Sequence, residues 1–154
     1  MIEIPPLAAG LDSPLKTWSK IMKEDAKILV VDDEAVMRNL LLKILEQEGY
    51  LIRLAGSYSE AIEKLEGESF ELILADVKMP GKTGFELLQE VKQRWPQIGV
   101  IMMTGYGDAY TVKEALMMGA DEYITKPFRS NEISLIIERA YWRQLASNKE
   151  NLTA

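Results

Sequence analysis

The sequence predicts an α/β protein with a doubly wound, five-stranded parallel sheet and helices on both faces. Three features predict it. Short apolar runs rich in β-formers alternate strictly with stretches of helical period, five times over between Lys27 and Ala140. The runs are continuously apolar, which fits strands buried on both faces. Glycine or proline punctuates the ends of the helical stretches, at Gly49, Gly67, Pro96 and Gly119.

Each element has its own signal. Ile28 to Val31 is the first strand, bounded by charge. Glu34 to Glu48 follows as a helix, with Met37, Leu40, Leu41, Ile44 and Leu45 on one stripe and Gly49 at its end. Tyr50 to Leu54 is the second strand. Ser57 and Glu60 match a capping box for a short helix bearing Ala61, Ile62 and Leu65. Phe70 to Ala75 is the third strand, and Pro80-Gly81 fits the central positions of a type II turn after it. Phe85, Leu88 and Val91 mark the third helix, stopped at Trp95-Pro96. Val100 to Met103 is the fourth strand, residues 108–118 the fourth helix, and Glu122 to Thr125 the fifth strand. Ser130 is placed to cap a fifth helix with Ile133, Ile136, Ile137 and Ala140 along its stripe.

Residues 1–26 read as an extension in which Pro5, Pro6, Gly10 and Pro14 interrupt regular structure. Leu15, Trp18 and Met22 suggest a short amphipathic helix over 14–24, against a loosely packed leader as the alternative. Residues 27–146 form the domain, and 147–154 are a tail or the start of a linker helix. The chain has 18 basic and 24 acidic residues, a net charge of −6, which argues against direct nucleic-acid binding by the domain as a whole. It has neither cysteine nor histidine. Disulfides, thiolate zinc sites and a Ser-His-Asp triad are thereby excluded, and any metal must be held by oxygen. No run reaches membrane-spanning length and no signal-peptide core is present, so the expectation is a cytoplasmic protein.

In a parallel sheet the C-terminal ends of all strands share one edge, where open α/β folds bind ligands. Asp32 and Asp33 follow the first strand, Asp76 the third, Thr104 the fourth and Lys126 the fifth. Taken singly, Asp33 fits a helix cap, Thr104 a turn hydroxyl and Lys126 a solvated charge. Taken together, three carboxylates on one edge repel unless a cation intervenes, and Mg2+ prefers oxygen ligands. A metal beside a carboxylate nucleophile, an ammonium and a hydroxyl forms a phosphoryl-transfer site. No Gly-rich P-loop is present, so the phosphoryl group is not expected to come from a nucleotide bound here.

At these residues the sequence resembles the receiver domains of response regulators in two-component signalling. The likeness rests on Val-Val-Asp32-Asp33-Glu34, on Leu-Ala-Asp76-Val-Lys-Met-Pro80-Gly81 with Gly84, on Met-Met-Thr104-Gly105 and on Tyr123-Ile-Thr-Lys126-Pro127-Phe128. It implies a flavodoxin-like (βα)5 fold of strand order 2-1-3-4-5. It implies Asp76 as the phosphoacceptor, with Mg2+ (or Mn2+) held by Asp32, Asp33, Asp76 and the carbonyl of Lys78. Thr104 and Lys126 would contact the phosphoryl group, Thr104 and Tyr123 would form the switch pair, and Lys126-Pro127 would be a cis peptide. Lys78 and Tyr106 occupy positions that tune dephosphorylation in the family. The implied partner is a histidine kinase or phosphotransfer protein, and the protein would be a switch rather than an enzyme in the usual sense.

Thr-Gly-Tyr-Gly and the Glu-Asn-Leu close are similar to receivers of enhancer-binding transcription activators, which implies transcription regulation as the output. Ile137, Tyr141, Leu145, Asn148 and Leu152 recur at spacings of four and three, as in a coiled-coil seam. That spacing suggests a linker helix that dimerises, against a fraying polar tail as the alternative, and the resemblance implies the face of the fourth helix, fifth strand and fifth helix as the other candidate homodimer surface. The alternatives are a stand-alone receiver acting by protein binding and a receiver-like module independent of phosphorylation. A haloacid-dehalogenase-like phosphatase would need Asp-x-Asp, and Lys78 stands where its second acid belongs.

Overall fold

The computed structural model describes residues 26–105 and 109–153, and the side chains of all of these except 109–111 and 148–153. The expected helix over 14–24 and Tyr106 lie outside the described residues. Among the described residues, five strands and five helices alternate: β1 (Lys27–Val31), α1 (Ala35–Gln47), β2 (Leu51–Ala55), α2 (Tyr58–Gly67), β3 (Leu72–Asp76), α3 (Gly84–Arg94), β4 (Gly99–Thr104), α4 (Ala109–Met117), β5 (Glu122–Thr125) and α5 (Ser130–Thr153). The strands are parallel and ordered β2-β1-β3-β4-β5. The chain reverses its direction of travel across the sheet at β1, so the gap between the tips of β1 and β3 is the switch point where open α/β sheets bind ligands.

Every residue of β3 and β4 is buried, whereas the edge strand β2 alternates. That contrast explains why the central strands read as unbroken apolar runs. One core lies between the sheet and α2, α3 and α4, built around Leu65, Leu87, Leu88 and Val91 against Leu29 and Ile73. The other lies under α1 and α5, with Leu41, Leu45, Ile133, Ile137 and Tyr141 against Ile28, Val30 and Leu74. At the start of β5, buried Glu122 accepts from Arg139 Nε at 2.6 Å and Nη2 at 2.8 Å, tying α5 to the sheet edge.

Three local expectations are corrected. Ser130 does not cap α5. It is the first helical residue, and Arg129 supplies the carbonyl that accepts from Glu132 and Ile133 N–H. The Ser57 box is open on one side, because Ser57 accepts from Glu60 N–H while the Glu60 carboxylate accepts from Gly56 N–H instead of Ser57. The full reciprocal box forms at Thr83 and Glu86, at the start of α3. The third correction concerns the seam. Ile137 is fully buried and Tyr141 is nearly so, both within the domain's own second core, and Leu145 packs against that core. The first part of the expected coiled-coil seam is thus consumed by the sheet, although the helix itself continues to Thr153. Among the described side chains, the large apolar residues of α5 that are exposed are Leu135 and Trp142, on a different face.

Candidate functional site

Strand register brings the tips together. Val31 pairs with Ala75, so Asp32 and Asp76, each the next residue, arrive side by side. Asp76 pairs with Met103 and Thr104 with Thr125, which sets Thr104 beside Asp76 and Lys126 beside Thr104. The Lys126 N–H donates to the Thr104 carbonyl at 2.7 Å, and the Lys126-Pro127 peptide is cis.

Asp32 is fully buried and held at every polar atom. Its N–H donates to the Ala55 carbonyl at 3.1 Å, its carbonyl accepts from Arg38 Nη1 at 2.6 Å, its Oδ1 accepts from Glu34 N–H at 2.9 Å, and its Oδ2 accepts from Lys126 Nζ at 3.0 Å. Glu34 sits in the N-cap position of α1 without a side-chain cap bond, and its own N–H donates to the Asp32 carboxylate. Asp33 is left exposed at the rim, and helix capping is not its role. Asp76 is nearly buried, with Oδ1 accepting from Lys78 N–H at 3.2 Å and Oδ2 from Lys126 Nζ at 3.1 Å.

The turn after Asp76 is built for close approach. Gly81 has φ 77°, as the second central position of a type II turn requires. Gly84 donates its N–H to the Val77 carbonyl at 3.0 Å, and a Cβ added there would stand 2.2 Å from the Asp76 carbonyl oxygen. The obstacle is backbone, which cannot rotate away. Gly84→Ala is therefore expected to destabilise the fold by about 3 kcal/mol, the upper end of ordinary overpacking. Urea unfolding measures this, and an unchanged midpoint would contradict the close packing of α3 on the β3 tip.

The electrostatics are asymmetric. One ammonium serves the buried carboxylates of Asp32 and Asp76, with Asp33 close by. Burial pushes the Asp76 carboxyl above its ordinary range, and the Lys126 charge only partly opposes this. Burial acts to lower the Lys126 value, but the hydrogen bond to Asp32 and the charge of Asp76 outweigh it and the net shift is upward. The lysine thus has more than one carboxylate partner, while Asp76 has only a shared ammonium to set against its burial. A divalent cation fits this deficit. One carboxylate oxygen from each of Asp32, Asp33 and Asp76 lies within 4.8 Å of the others. Such an all-oxygen set suits Mg2+ or Mn2+. Thr104 Oγ1 is buried and meets no hydrogen-bond partner among the described residues, an orphaned donor at the same edge.

Five of the residues singled out from sequence thus converge: Asp32, Asp33, Asp76, Thr104 and Lys126. Tyr123 does not join them. It lies on the outer edge of β5, 37% exposed, in a groove shared with Pro127, Ile136 and Arg139. Two residues that shape the site carried no role in the sequence reading. Gly84 is one, read only as part of the motif after Asp76, because the constraint on it is a contact across the fold. Arg38 is the other, because its partner is a backbone carbonyl with no signature of its own.

Residues 28–138 match the family model of the response regulator receiver domain. The transcriptional regulatory protein FixJ of Bradyrhizobium diazoefficiens is 34% identical over 119 residues, which is 77% of this chain and 58% of FixJ. The transcriptional regulatory protein CpxR of Escherichia coli is 36% identical over 129 residues, 81% of this chain and 55% of CpxR. The chain therefore spans a little over half the length of these curated relatives. Among solved structures, NtrX from Brucella abortus superposes with a TM-score of 0.81 at 32% identity, over 84% of this chain and 30% of NtrX. A receiver domain protein from Clostridium thermocellum gives 0.73 at 32% identity, over 84% of this chain and 99% of its own.

Proposed function

This chain belongs to the response regulator receiver domain family, and from that premise we propose that it is a phosphorylation switch whose acceptor is Asp76. The observation that carries the reading is the shared ammonium. Lys126 Nζ lies 3.0 Å from Asp32 Oδ2 and 3.1 Å from Asp76 Oδ2, with the buried Thr104 hydroxyl, unpartnered among the described residues, at the next strand tip. The donor is the phosphohistidine of a histidine kinase or phosphotransfer protein. An Asp76 carboxylate oxygen forms a bond to phosphorus as the phosphorus–nitrogen bond breaks, and the freed imidazole takes a proton. Lys126 then pairs with a phosphoryl oxygen, and Thr104 donates its hydroxyl to another. Asp32, Asp33, Asp76 and the Lys78 carbonyl would hold Mg2+, which supplies further positive charge to the phosphoryl oxygens. Hydrolysis reverses the state. Water attacks phosphorus, the aspartyl bond breaks, and carboxylate and inorganic phosphate are released.

Phosphorylation replaces a carboxylate with a group of charge near −2 and strong acceptor oxygens. That new demand for donors biases the position of Thr104, and Tyr123 follows by turning inward from its exposed position. The readout is the face of α4, β5 and α5. Exposed Leu116 and Met117 lie on α4, the latter 78% exposed, next to the strand that carries Tyr123. Regulation of transcription is the output that the FixJ and CpxR likeness supports, and the cytoplasm is the place where such an output would act. Among the described residues no helix is long and apolar enough to cross a membrane. Residues 27–146 serve as the receiver unit, and α5 beyond them as a linker.

Incubation with acetyl phosphate and Mg2+ should add one phosphoryl group, read by mass spectrometry, and chelator should prevent it. No adduct would overturn the proposal. Beryllofluoride with Mg2+ should shift the protein from monomer to dimer in light scattering, and Met117→Asp should prevent the shift. An unchanged mass in wild type would remove the dimer from the reading while leaving the acceptor in place.

A further inference from the structure

Arg38 lies on the first turn of α1, outside the set of residues that the phosphoryl chemistry uses. Its Nη1 donates to the Asp32 carbonyl at 2.6 Å, a short charge-assisted bond. That oxygen belongs to the peptide plane joining Asp32 to Asp33. Holding the oxygen fixes the plane, and with it the backbone from which exposed Asp33 projects. It also withdraws the Asp32 carbonyl from any ligand set. Asp32 itself is already fixed by Ala55, Glu34 and Lys126, whereas no hydrogen bond among the described residues holds Asp33.

The same guanidinium touches the β2–α2 corner. A Cβ added to Gly56 would stand 3.1 Å from Arg38 Nη1 and 3.5 Å from its Cζ. Gly56 is in turn held by its N–H, which donates to Glu60 Oε2 at 2.9 Å. The corner therefore forms a wall against which the guanidinium rests while it grips the Asp32 carbonyl.

From this geometry we infer that Arg38 is a positioning residue for the divalent cation, acting through the Asp32–Asp33 peptide plane and backed by Gly56. The inference rests on the metal reading of the site given above. Charge and position make opposite predictions, which gives the test its force. As a nearby positive charge, Arg38 repels a cation, so its loss would tighten metal binding. As a clamp, it holds a ligand's backbone in place, so its loss loosens binding, and losses of supporting contacts of this kind run to about tenfold or more in affinity.

The measurement is the Mg2+ dissociation constant by calorimetry, with Mn2+ by electron paramagnetic resonance as a second probe, on the unphosphorylated chain. Arg38→Ala is expected to weaken binding of both ions about tenfold. Arg38→Lys keeps a donor on a long stem and is expected to recover part of the loss. Gly56→Ala crowds the guanidinium at 3.1 Å, meets Glu60 Oε2 only at an ordinary contact distance of 3.5 Å, and leaves Asp32, Asp33 and Asp76 untouched, so it is expected to give a smaller loss in the same direction. Unchanged or tighter binding by Arg38→Ala overturns the inference, even if that variant is less stable. Should Arg38→Ala fail to fold, Gly56→Ala decides, and full affinity there overturns it. Wild-type protein that takes up neither ion brings down the metal reading and this inference with it. Wild-type uptake alongside an unaffected variant brings down this inference alone.

Discussion

Asp76→Asn is expected to abolish the phosphoryl adduct formed with acetyl phosphate and Mg2+, while making the metal-free protein more resistant to unfolding. The first effect follows from chemistry, since the amide lacks the nucleophilic carboxylate and no other described carboxylate is both nearly buried and bonded to Lys126 except Asp32, whose four polar atoms are all engaged. The second follows from the upward shift of the Asp76 carboxyl. Burial raises its folded value above the ordinary 3.8, so between those values the folded state binds more protons than the unfolded chain. Stability contributed by that proton falls as pH rises through the folded value, and at neutral pH the ionised group is a net strain on the fold. Asparagine removes the charge at almost constant volume and can still accept from Lys126. Urea midpoints in chelator should therefore be higher for the variant at neutral pH, with the gap closing as the pH is lowered. An adduct that survives in Asp76→Asn would assign the acceptor elsewhere. A wild type as stable as the variant at neutral pH would mean that Lys126 fully compensates the carboxylate.

The strands and helices were legible in the sequence because each buries a face with its own period. β3 and β4 are buried on both sides and read as apolar runs. Periodicity does not carry strand order. That came from the likeness of the Asp32, Asp76, Thr104 and Lys126 motifs to a family, and the order β2-β1-β3-β4-β5 agrees. The failures have distinct physical causes. The spacing of Ile137, Tyr141 and Leu145 suits a helix packed on a second helix as well as one packed on a sheet, and the sequence does not say what lies opposite. Tertiary packing gave Ile137 and Tyr141 to the sheet. Ser130 and Arg129 differ by one position along the entry to α5, within the usual blur of helix ends. The packing role of Gly84, read only as part of the motif, and any role for Arg38 were not legible, because both lie in distances to backbone atoms, 2.2 Å from Asp76 O for a Cβ in one case and 2.6 Å to Asp32 O in the other. The side chains that do chemistry were readable because strand tips converge on one edge. The contacts that hold them there were not.

Lys126→Ala is expected to destabilise the metal-free protein by about 3–5 kcal/mol, the range for leaving a buried charge without its partner. The lysine side chain is 18% exposed, while Asp32 is 0% and Asp76 10% exposed, so the ion pairs are only weakly screened. Without the ammonium, Asp32 Oδ2 and Asp76 Oδ2 keep their positions at the ends of paired strands and lose their common donor. Like charges so placed cannot both remain ionised at no cost, and one of the carboxyls is driven further upward. The loss should then be pH-dependent. It is large at neutral pH and shrinks under acid conditions, where a protonated carboxyl donates to its neighbour in place of the lysine. Mg2+ should restore more stability to the variant than to wild type, because the cation meets the same deficit that the ammonium had filled and binding to the folded state alone raises its stability by mass action. Urea titrations of both proteins, in chelator and in Mg2+ at several pH values, separate these terms. A uniform loss that ignores both pH and metal would show that Lys126 acts through its packed aliphatic stem, and its place as counter-charge to the acid pair would have to be given up.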